Sequence, residues 1–170
     1  MFDEEISTLA SMLVKEFHEA GLQVTTAESC TGGLIGGAIT SIAGSSNVYA
    51  RGFVTYANEA KSELLGVSEE TLEEHGAVSA ACATEMATGA RHAAGADVAI
   101  SVTGIAGPGG GSDEKPIGTV FIAIATGEDD GAFVEQFEFG DIGRDQVRRE
   151  TIVQALEMAL GYGVEEPELN

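Results

Sequence analysis

Apolar residues along the chain recur either at helical spacing or in short unbroken runs. Residues 3–20 place apolar side chains on one face of a predicted helix, and residues 97–102 form an apolar run of strand length. Glycines and capping residues mark the boundaries of the other segments. Together they predict helices over 3–20, 34–42, 58–65, 68–75, 80–94 and 144–160, and strands over 24–27, 48–56, 97–102, 118–125 and 132–139.

The order of these segments predicts the fold class. Helices and strands alternate over the first two thirds of the chain, and two strands then follow one another before a final helix. We expect an α/β protein, a three-layer α/β/α sandwich with a mixed, mostly parallel sheet. Because no repeat or linker interrupts the pattern, residues 1–165 are expected to form a single domain, followed by a short acidic tail at 166–170.

Charge narrows the range of partners. The 170 residues carry 28 acidic and 8 basic side chains, for a formal net charge of −20. Such a surface repels phosphate backbones and anionic membranes, so we expect no nucleic acid and no membrane partner. A cytoplasmic location is expected, because acidic residues occupy the place of a basic signal-peptide start. The acid excess also suggests a halophilic source, with stability rising from dilute buffer to molar KCl; an ordinary acidic protein is the alternative.

The stretch after the first predicted strand, residues 25–37, combines a single acid with hydroxyl and thiol groups. Ser29, Cys30 and Thr31 lie where a strand passes into a helix, whose N-terminal N–H groups favour negative charge or an oxyanion. The stretch therefore suits a nucleophile, either Ser29 or Cys30. The alternative is a plain helix cap, with the glycines serving only close packing.

Two further loops follow predicted strands, and each contains one of the three lysines of the chain. Lys61 lies early in a predicted helix, where the dipole disfavours a cation, and a desolvated lysine there acts as a general base. A surface lysine paired with Glu59 or Glu63 is the alternative. The glycine-rich loop 103–115 can form a backbone nest for phosphate, with Lys115 as an added charge; a ligand-free connection is the alternative. The three histidines show no metal-ligand spacing and no triad, so no metal and no cofactor is expected.

Four strings in and beside these loops carry a resemblance to a known family. They are TAESCTGG at 26–33, GFVTYANEAK at 52–61, HGAVS at 75–79 and SVTGIAGPGGGSDEKPIGTV at 101–120. In this order they resemble the C-terminal domain of the CinA family, which includes stand-alone nicotinamide-nucleotide amidases. The likeness covers residues 5–160.

The resemblance implies hydrolysis of the carboxamide of nicotinamide mononucleotide, which gives nicotinate mononucleotide and ammonia. In the family a serine and a lysine act together; Ser29 and Lys61 match them, and Thr103 matches a hydroxyl residue before Gly-Ile-Ala-Gly-Pro. Lys61 would accept the Ser29 proton, and helix N–H groups near Thr31 to Gly33 would hold the oxyanion. The predicted catalytic residues are Ser29, Lys61 and Thr103, and the predicted substrate-binding residues are Glu28, Thr31, Gly32, Gly33, Tyr56, Asn58, Gly104, Gly107, Gly109, Gly110, Lys115 and Arg144.

The likeness has two departures. Nothing here resembles the N-terminal domain, related to molybdopterin-binding proteins, of the full-length family members, so no pyrophosphatase activity is carried over. The family usually reads Gly-Asp-Arg before its last helix, whereas Ile142 and Gly143 separate Asp141 from Arg144 here. The resemblance also suggests a homo-oligomer that acts on a small pyridine nucleotide. The alternative function is a nucleotide-binding regulatory module without amidase activity.

Overall fold

The computed structural model describes residues 1–127 and 131–163 of the chain. Its elements, in order, are α1 (Glu4–Ala20), β1 (Val24–Glu28), α2 (Leu34–Thr40), a 3-10 turn (Ser45–Asn47), β2 (Phe53–Val54), α3 (Asn58–Leu65), α4 (Glu69–His75), α5 (Ala80–Ala94), β3 (Val98–Gly104), β4 (Thr119–Ala125), β5 (Ala132–Glu138) and α6 (Arg144–Gly163). Every predicted helix and strand is found, with boundaries shifted by a few residues except at β2. The predicted tail at 166–170 lies outside the described residues.

The strands form one mixed sheet in the order β2-β1-β3-β4-β5. β1 pairs in parallel with β2 and β3, whereas β4 runs antiparallel to β3 and β5. Four of the five strands described therefore point the same way, and the predicted mixed sheet is confirmed. Because parallel strands end at the same edge of a sheet, the loops that follow β1, β2 and β3 meet there.

Helices cover both faces of the sheet, which confirms the three layers. On one face α1, α2 and α6 pack against the sheet through a core that includes Phe17, Ile39 and Leu156. On the other face α3 and α5 contribute Leu65 and Met86 to a second core. β3 and β4 are buried on both faces, which accounts for their unbroken apolar runs. None of the helices in the described ranges is long and apolar enough to cross a bilayer.

The strand predicted over 48–56 is wrong in its length. Only Phe53–Val54 pairs with the sheet, opposite the last two residues of β1. Tyr49 packs against the first core, and its hydroxyl lies 2.7 Å from Thr26 Oγ1. A Cβ on Gly52 would collide with the Tyr49 hydroxyl, so glycine there makes room for the ring. Tyr49, whose aromatic side chain favoured the strand prediction, packs its partly buried ring against this core, and its backbone does not pair with the sheet.

Serine caps define the helix starts around the sheet edge. The Ser68 hydroxyl accepts a hydrogen bond from the Thr71 N–H at the start of α4. The Ser79 hydroxyl does the same for the Cys82 N–H at the start of α5. Each cap satisfies an N–H group that has no partner inside its helix, and both helix starts are as predicted.

Candidate active site

The turn that follows β1 places Ser29 at the sheet edge. The Ser29 N–H donates to Val102 O of β3 at 3.1 Å, and the Ser29 carbonyl accepts from the Gly32 N–H at 3.1 Å. Gly32 and Gly33 have φ values of +60° and +95°, in the left-handed region that favours glycine. These two glycines let the chain turn from the end of β1 into α2 over five residues, 29–33. Ser29 is the first residue of this turn.

The Glu28 carboxylate caps α2 from the end of β1. Its side chain is 1% exposed. It accepts hydrogen bonds from the Thr31 hydroxyl (2.6 Å) and from the N–H groups of Gly33 (3.1 Å), Ile35 (3.0 Å) and Gly36 (2.8 Å). The helix N-terminus stabilises this negative charge. Glu28 therefore fixes the turn that carries Ser29.

Lys61 reaches Ser29 from α3, which starts directly after β2. Lys61 Nζ lies 3.1 Å from Ser29 Oγ, and it donates to Thr55 O at 2.8 Å and Tyr56 O at 3.3 Å. The lysine is 1% exposed, and none of the ion pairs among the described residues involves it. Burial lowers the pKa of the Lys61 amine below its usual 10.5, because the cation loses its hydration and gains no carboxylate in return.

A protonated Lys61 would donate to all three neighbouring oxygens, and a neutral amine fits the same three contacts. A neutral lysine has two N–H groups and one lone pair, and the carbonyls of Thr55 and Tyr56 accept the two N–H groups. The lone pair is then available to the Ser29 hydroxyl, whose oxygen is the third neighbour of Nζ. A serine beside a buried neutral lysine can lose its proton as it attacks an electrophile.

Ser29 and Lys61 open into a cavity of about 210 Å³ at the carboxyl edge of the sheet. Its lining residues are Ser29, Cys30, Tyr56, Asn58, Lys61, Ala77, Val78, Thr103, Gly104, Ala106 and Arg144. Thr103 is buried, and its hydroxyl donates to Ala77 O at 2.7 Å. None of these lining residues is acidic, although the chain contains 28 acids. The cavity therefore suits a polar ligand that carries negative charge.

Arg144 lines this cavity despite the two additional residues before it. Its Nη1 donates to Gly107 O at 2.8 Å, and its Nη2 donates to the Tyr56 hydroxyl at 3.0 Å. These bonds hold the guanidinium between the loops that follow β2 and β3. A guanidinium has five N–H donors, so two bonds to the protein leave others for a ligand.

Four other predicted ligand residues do not line the cavity. The N–H groups of Gly32 and Gly33 donate within the turn, to Ser29 O and to Glu28 Oε2. Glu28 and Thr31 bond to each other. These four residues shape the turn, and none of them is among the residues that line the cavity.

Two glycines of the glycine-rich loop line a different cavity. Gly109 and Gly110 line a separate cavity of about 590 Å³, together with the carboxylates of Asp113, Glu138 and Asp141. Three acidic residues in the lining disfavour a phosphate there. Gly104 lines the first cavity, and Gly107 contributes its carbonyl to Arg144.

Lys115 donates to the His75 carbonyl at 2.7 Å, at the C-terminal end of α4. It is not among the residues that line the first cavity.

Cys30, the alternative nucleophile, also lines the cavity and is buried. Burial raises the pKa of its thiol to about 12. The thiolate is the reactive form of cysteine, so a thiol protonated throughout the neutral range is a poor nucleophile. This environment favours Ser29 over Cys30.

Three lining residues, Ala77, Val78 and Ala106, were not predicted as ligand contacts. Two of them belong to the string at 75–79 that supported the family resemblance. Small apolar side chains give no chemical signal of their own, so only the resemblance could have indicated that segment.

The fold and the site define a class: an α/β protein with a buried serine–lysine pair at the carboxyl edge of its sheet, an arrangement suited to nucleophilic catalysis. Residues 6–162 match the CinA C-terminal domain family, and the chain belongs to it.

Curated relatives and solved structures agree with this membership. The chain is 52% identical over 157 residues to the nicotinamide-nucleotide amidohydrolase PncC of Escherichia coli, covering 92% of this chain and 94% of that protein. It is also 52% identical to a CinA-like protein of Geobacter sulfurreducens, covering 89% of this chain but 36% of that longer protein. A crystal structure of the competence/damage inducible protein CihA from Agrobacterium tumefaciens superposes with a TM-score of 0.93, at 50% identity, covering 96% of this chain and 99% of that one.

Proposed function

We propose that this protein is an amidohydrolase that converts nicotinamide mononucleotide to nicotinate mononucleotide and ammonia by a Ser29–Lys61 mechanism. The observation that carries the proposal is the 3.1 Å separation of Lys61 Nζ and Ser29 Oγ in a buried site. Relatives at 52% identity over most of their length are named for this substrate class. The predicted cytoplasmic location and homo-oligomer stay predictions.

In the first half-reaction Ser29 Oγ attacks the carboxamide carbon, and its proton passes to the lone pair of Lys61 Nζ. The carbonyl oxygen takes up the negative charge of the tetrahedral intermediate. As the carbonyl re-forms, the C–N bond breaks, and Lys61 gives the proton to the departing nitrogen, which leaves as ammonia. A nicotinoyl ester on Ser29 remains, and Lys61 is neutral again.

The second half-reaction repeats these proton transfers with water. Lys61 takes a proton from the water as the oxygen attacks the ester carbon, and it returns that proton to Ser29 Oγ when the ester bond breaks. The nicotinic acid group so formed loses its remaining proton to solvent and leaves as the carboxylate. Lys61 therefore serves as base and acid in turn, which requires a pKa closer to neutrality than that of an exposed lysine; burial lowers it in that direction.

The oxyanion is assigned to the backbone N–H of Cys30, the residue after the nucleophile. Among the described residues, the N–H groups of Gly32, Gly33 and Leu34 already have acceptors within the turn, whereas that of Cys30 donates to no other backbone group. This assignment gives Cys30 a role through its backbone, with its protonated side chain forming part of the cavity lining.

The substrate phosphate is assigned to Arg144. With Lys61 committed to Ser29, Arg144 is the other basic residue that lines the cavity. Its planar guanidinium suits phosphate oxygens. Tyr56 and Asn58 are assigned to the ribose and the carboxamide, since both line the same cavity.

Ammonia release from nicotinamide mononucleotide by Ser29→Ala, Cys30→Ala and wild type tests the proposal. Ser29→Ala should lose about 10³-fold or more in kcat, because the nucleophile is gone. Cys30→Ala should retain most of its turnover. Ser11→Ala, which removes an exposed hydroxyl from α1, is the matched control and should behave as wild type.

The reverse pattern, with Cys30→Ala inert and Ser29→Ala active, would make the thiol the attacking group. Tight binding of the nucleotide in calorimetry without any ammonia release would instead support the regulatory binding module. Circular dichroism of each variant separates a lost reaction from a lost fold.

A further inference from the structure

One segment that lines the cavity accepts hydrogen bonds from side chains in two distant parts of the chain. Residues 75–79, here called the cavity wall, run from the last residue of α4 to the cap of α5 and contribute Ala77 and Val78 to the lining. In the part of the chain that the structure describes, the Gly76 N–H donates to Leu72 O at 3.1 Å, and the N–H groups of Ala77 and Val78 have no backbone acceptor. The backbone N–H groups of Ala77 and Val78 therefore take no part in the regular hydrogen bonding of the flanking helices.

Three successive carbonyls at the wall each accept a bond from a side chain. The pairs are Lys115 Nζ to His75 O (2.7 Å), Ser79 Oγ to Gly76 O (2.8 Å) and Thr103 Oγ1 to Ala77 O (2.7 Å). The Ser79 bond is local and belongs to the cap of α5. The other two connect the wall to distant parts of the chain: Thr103 to the end of β3, and Lys115 to the glycine-rich loop.

The position of Lys115 is itself fixed within that loop. The Lys115 N–H donates to Ser112 Oγ at 3.0 Å, and the Ser112 N–H donates to Lys115 O at 2.9 Å. This reciprocal pair closes a short turn from which the lysine side chain extends to α4. A cation at the C-terminal carbonyls of a helix is favoured by the helix dipole, so the contact at His75 O is a stable one.

We propose that Lys115 is a positioning residue that holds the cavity wall against Thr103 and so keeps the substrate aligned with Ser29. The proposal rests on the proposed amidase function. It replaces the predicted phosphate contact, because the ammonium is bonded to a helix carbonyl and Lys115 does not line the first cavity. A wall that shifts by a fraction of an ångström moves the bound carboxamide relative to Oγ, and catalytic rates are sensitive to such displacements.

Kinetics of Lys115→Met with nicotinamide mononucleotide separate the two roles. A lost phosphate contact would raise KM and leave kcat unchanged, whereas a displaced wall lowers kcat. We expect kcat to fall about tenfold, with a smaller change in KM. Lys115→Arg, which can still donate to His75 O, should recover most of the loss. Lys15→Met, the same change at an exposed lysine of α1, is the control for charge and should match wild type.

Amide hydrogen exchange of the ligand-free protein supplies a readout that does not depend on activity. The Gly76 N–H bonds to the last turn of α4, so losing the Lys115 bond to His75 O should speed its exchange in Lys115→Met but not in Lys15→Met. Unchanged exchange at Gly76, or a rise in KM at constant kcat, would overturn the proposal. If wild type releases no ammonia, the proposed function fails, and the exchange result still decides whether Lys115 holds the wall.

Discussion

Glu28 and Lys61 are both ionisable, both 1% exposed and both adjacent to Ser29, one along the chain and one in space. Their surroundings differ. The Glu28 carboxylate accepts four hydrogen bonds from the start of α2 and the turn before it. The Lys61 amine has two backbone carbonyls and the Ser29 hydroxyl around it, and none of the ion pairs in the described ranges includes it.

The difference indicates which buried charge supports the structure and which performs chemistry. A buried ion with its hydrogen-bonding capacity satisfied is stable in its charged form. A buried amine without a counter-ion is more stable when neutral, and a neutral amine can accept a proton. Glu28 therefore holds the turn in place, and in the proposed mechanism Lys61 exchanges protons with Ser29.

The largest expected effect is that of Lys61→Met, which keeps the length of the side chain and removes the amine. Turnover should fall about 10³-fold, within the range attributed to general acid–base groups. Far-ultraviolet circular dichroism should show a retained fold, and thermal unfolding should show a modest loss of stability, because Thr55 O and Tyr56 O lose their donor. Lys15→Met is the matched control. A Lys61→Met variant with turnover near that of wild type would remove the lysine from the mechanism.

A smaller effect on turnover, with a larger one on stability, is expected for Glu28→Gln. In the variant, the NH₂ of the glutamine side chain faces N–H groups that donate to the carboxylate in the wild type. At least one buried N–H therefore loses its acceptor. We expect the free energy of unfolding to drop by about 2 kcal/mol, as is usual for losing a hydrogen bond to a charged group. Urea unfolding measures this change, and kcat should fall as the Ser29 turn relaxes.

Asp3→Asn is the control for Glu28→Gln, because Asp3 is an exposed cap that accepts from the Ile6 N–H at the start of α1. It should lose less stability and leave kcat unchanged. Equal losses from the two substitutions would contradict the view that burial and four donors set Glu28 apart.

Much of this arrangement follows from sequence patterns. Ser29 and Lys61 each follow a predicted strand, and parallel strands bring their C-terminal loops to one edge, so the pair was predictable together with its fold. The family resemblance added Thr103 and Arg144. The length of β2 was not predictable from its apolar residues, because Tyr49 and Gly52 form a packing contact away from the sheet ladder.

The roles of Glu28 and Lys115 could not be predicted either. Glu28 was expected to contact substrate, but its oxygens bond to N–H groups up to eight residues further along, which depends on how tightly the chain turns. Lys115 was expected to add charge to a phosphate site, whereas its partner is a carbonyl 40 residues away, at the end of α4. Contacts between residues so far apart in the chain depend on the tertiary structure, and local composition carries no sign of them.

Direct titration of the Lys61 side chain tests the central claim. The chemical shift of its labelled ε-carbon, followed against pH in the ligand-free protein and assigned with Lys61→Met, gives its pKa. We predict a pKa below the usual 10.5, because burial disfavours the cation. The unfolded chain then binds more protons between the two pKa values, so stability should rise with pH across that interval. The amidase rate should instead rise with pH up to the folded-state pKa of Lys61 and level off above it, because the base is then neutral. A titration at or above 10.5 would show a lysine that stays charged beside Ser29, and the proposed base would be lost.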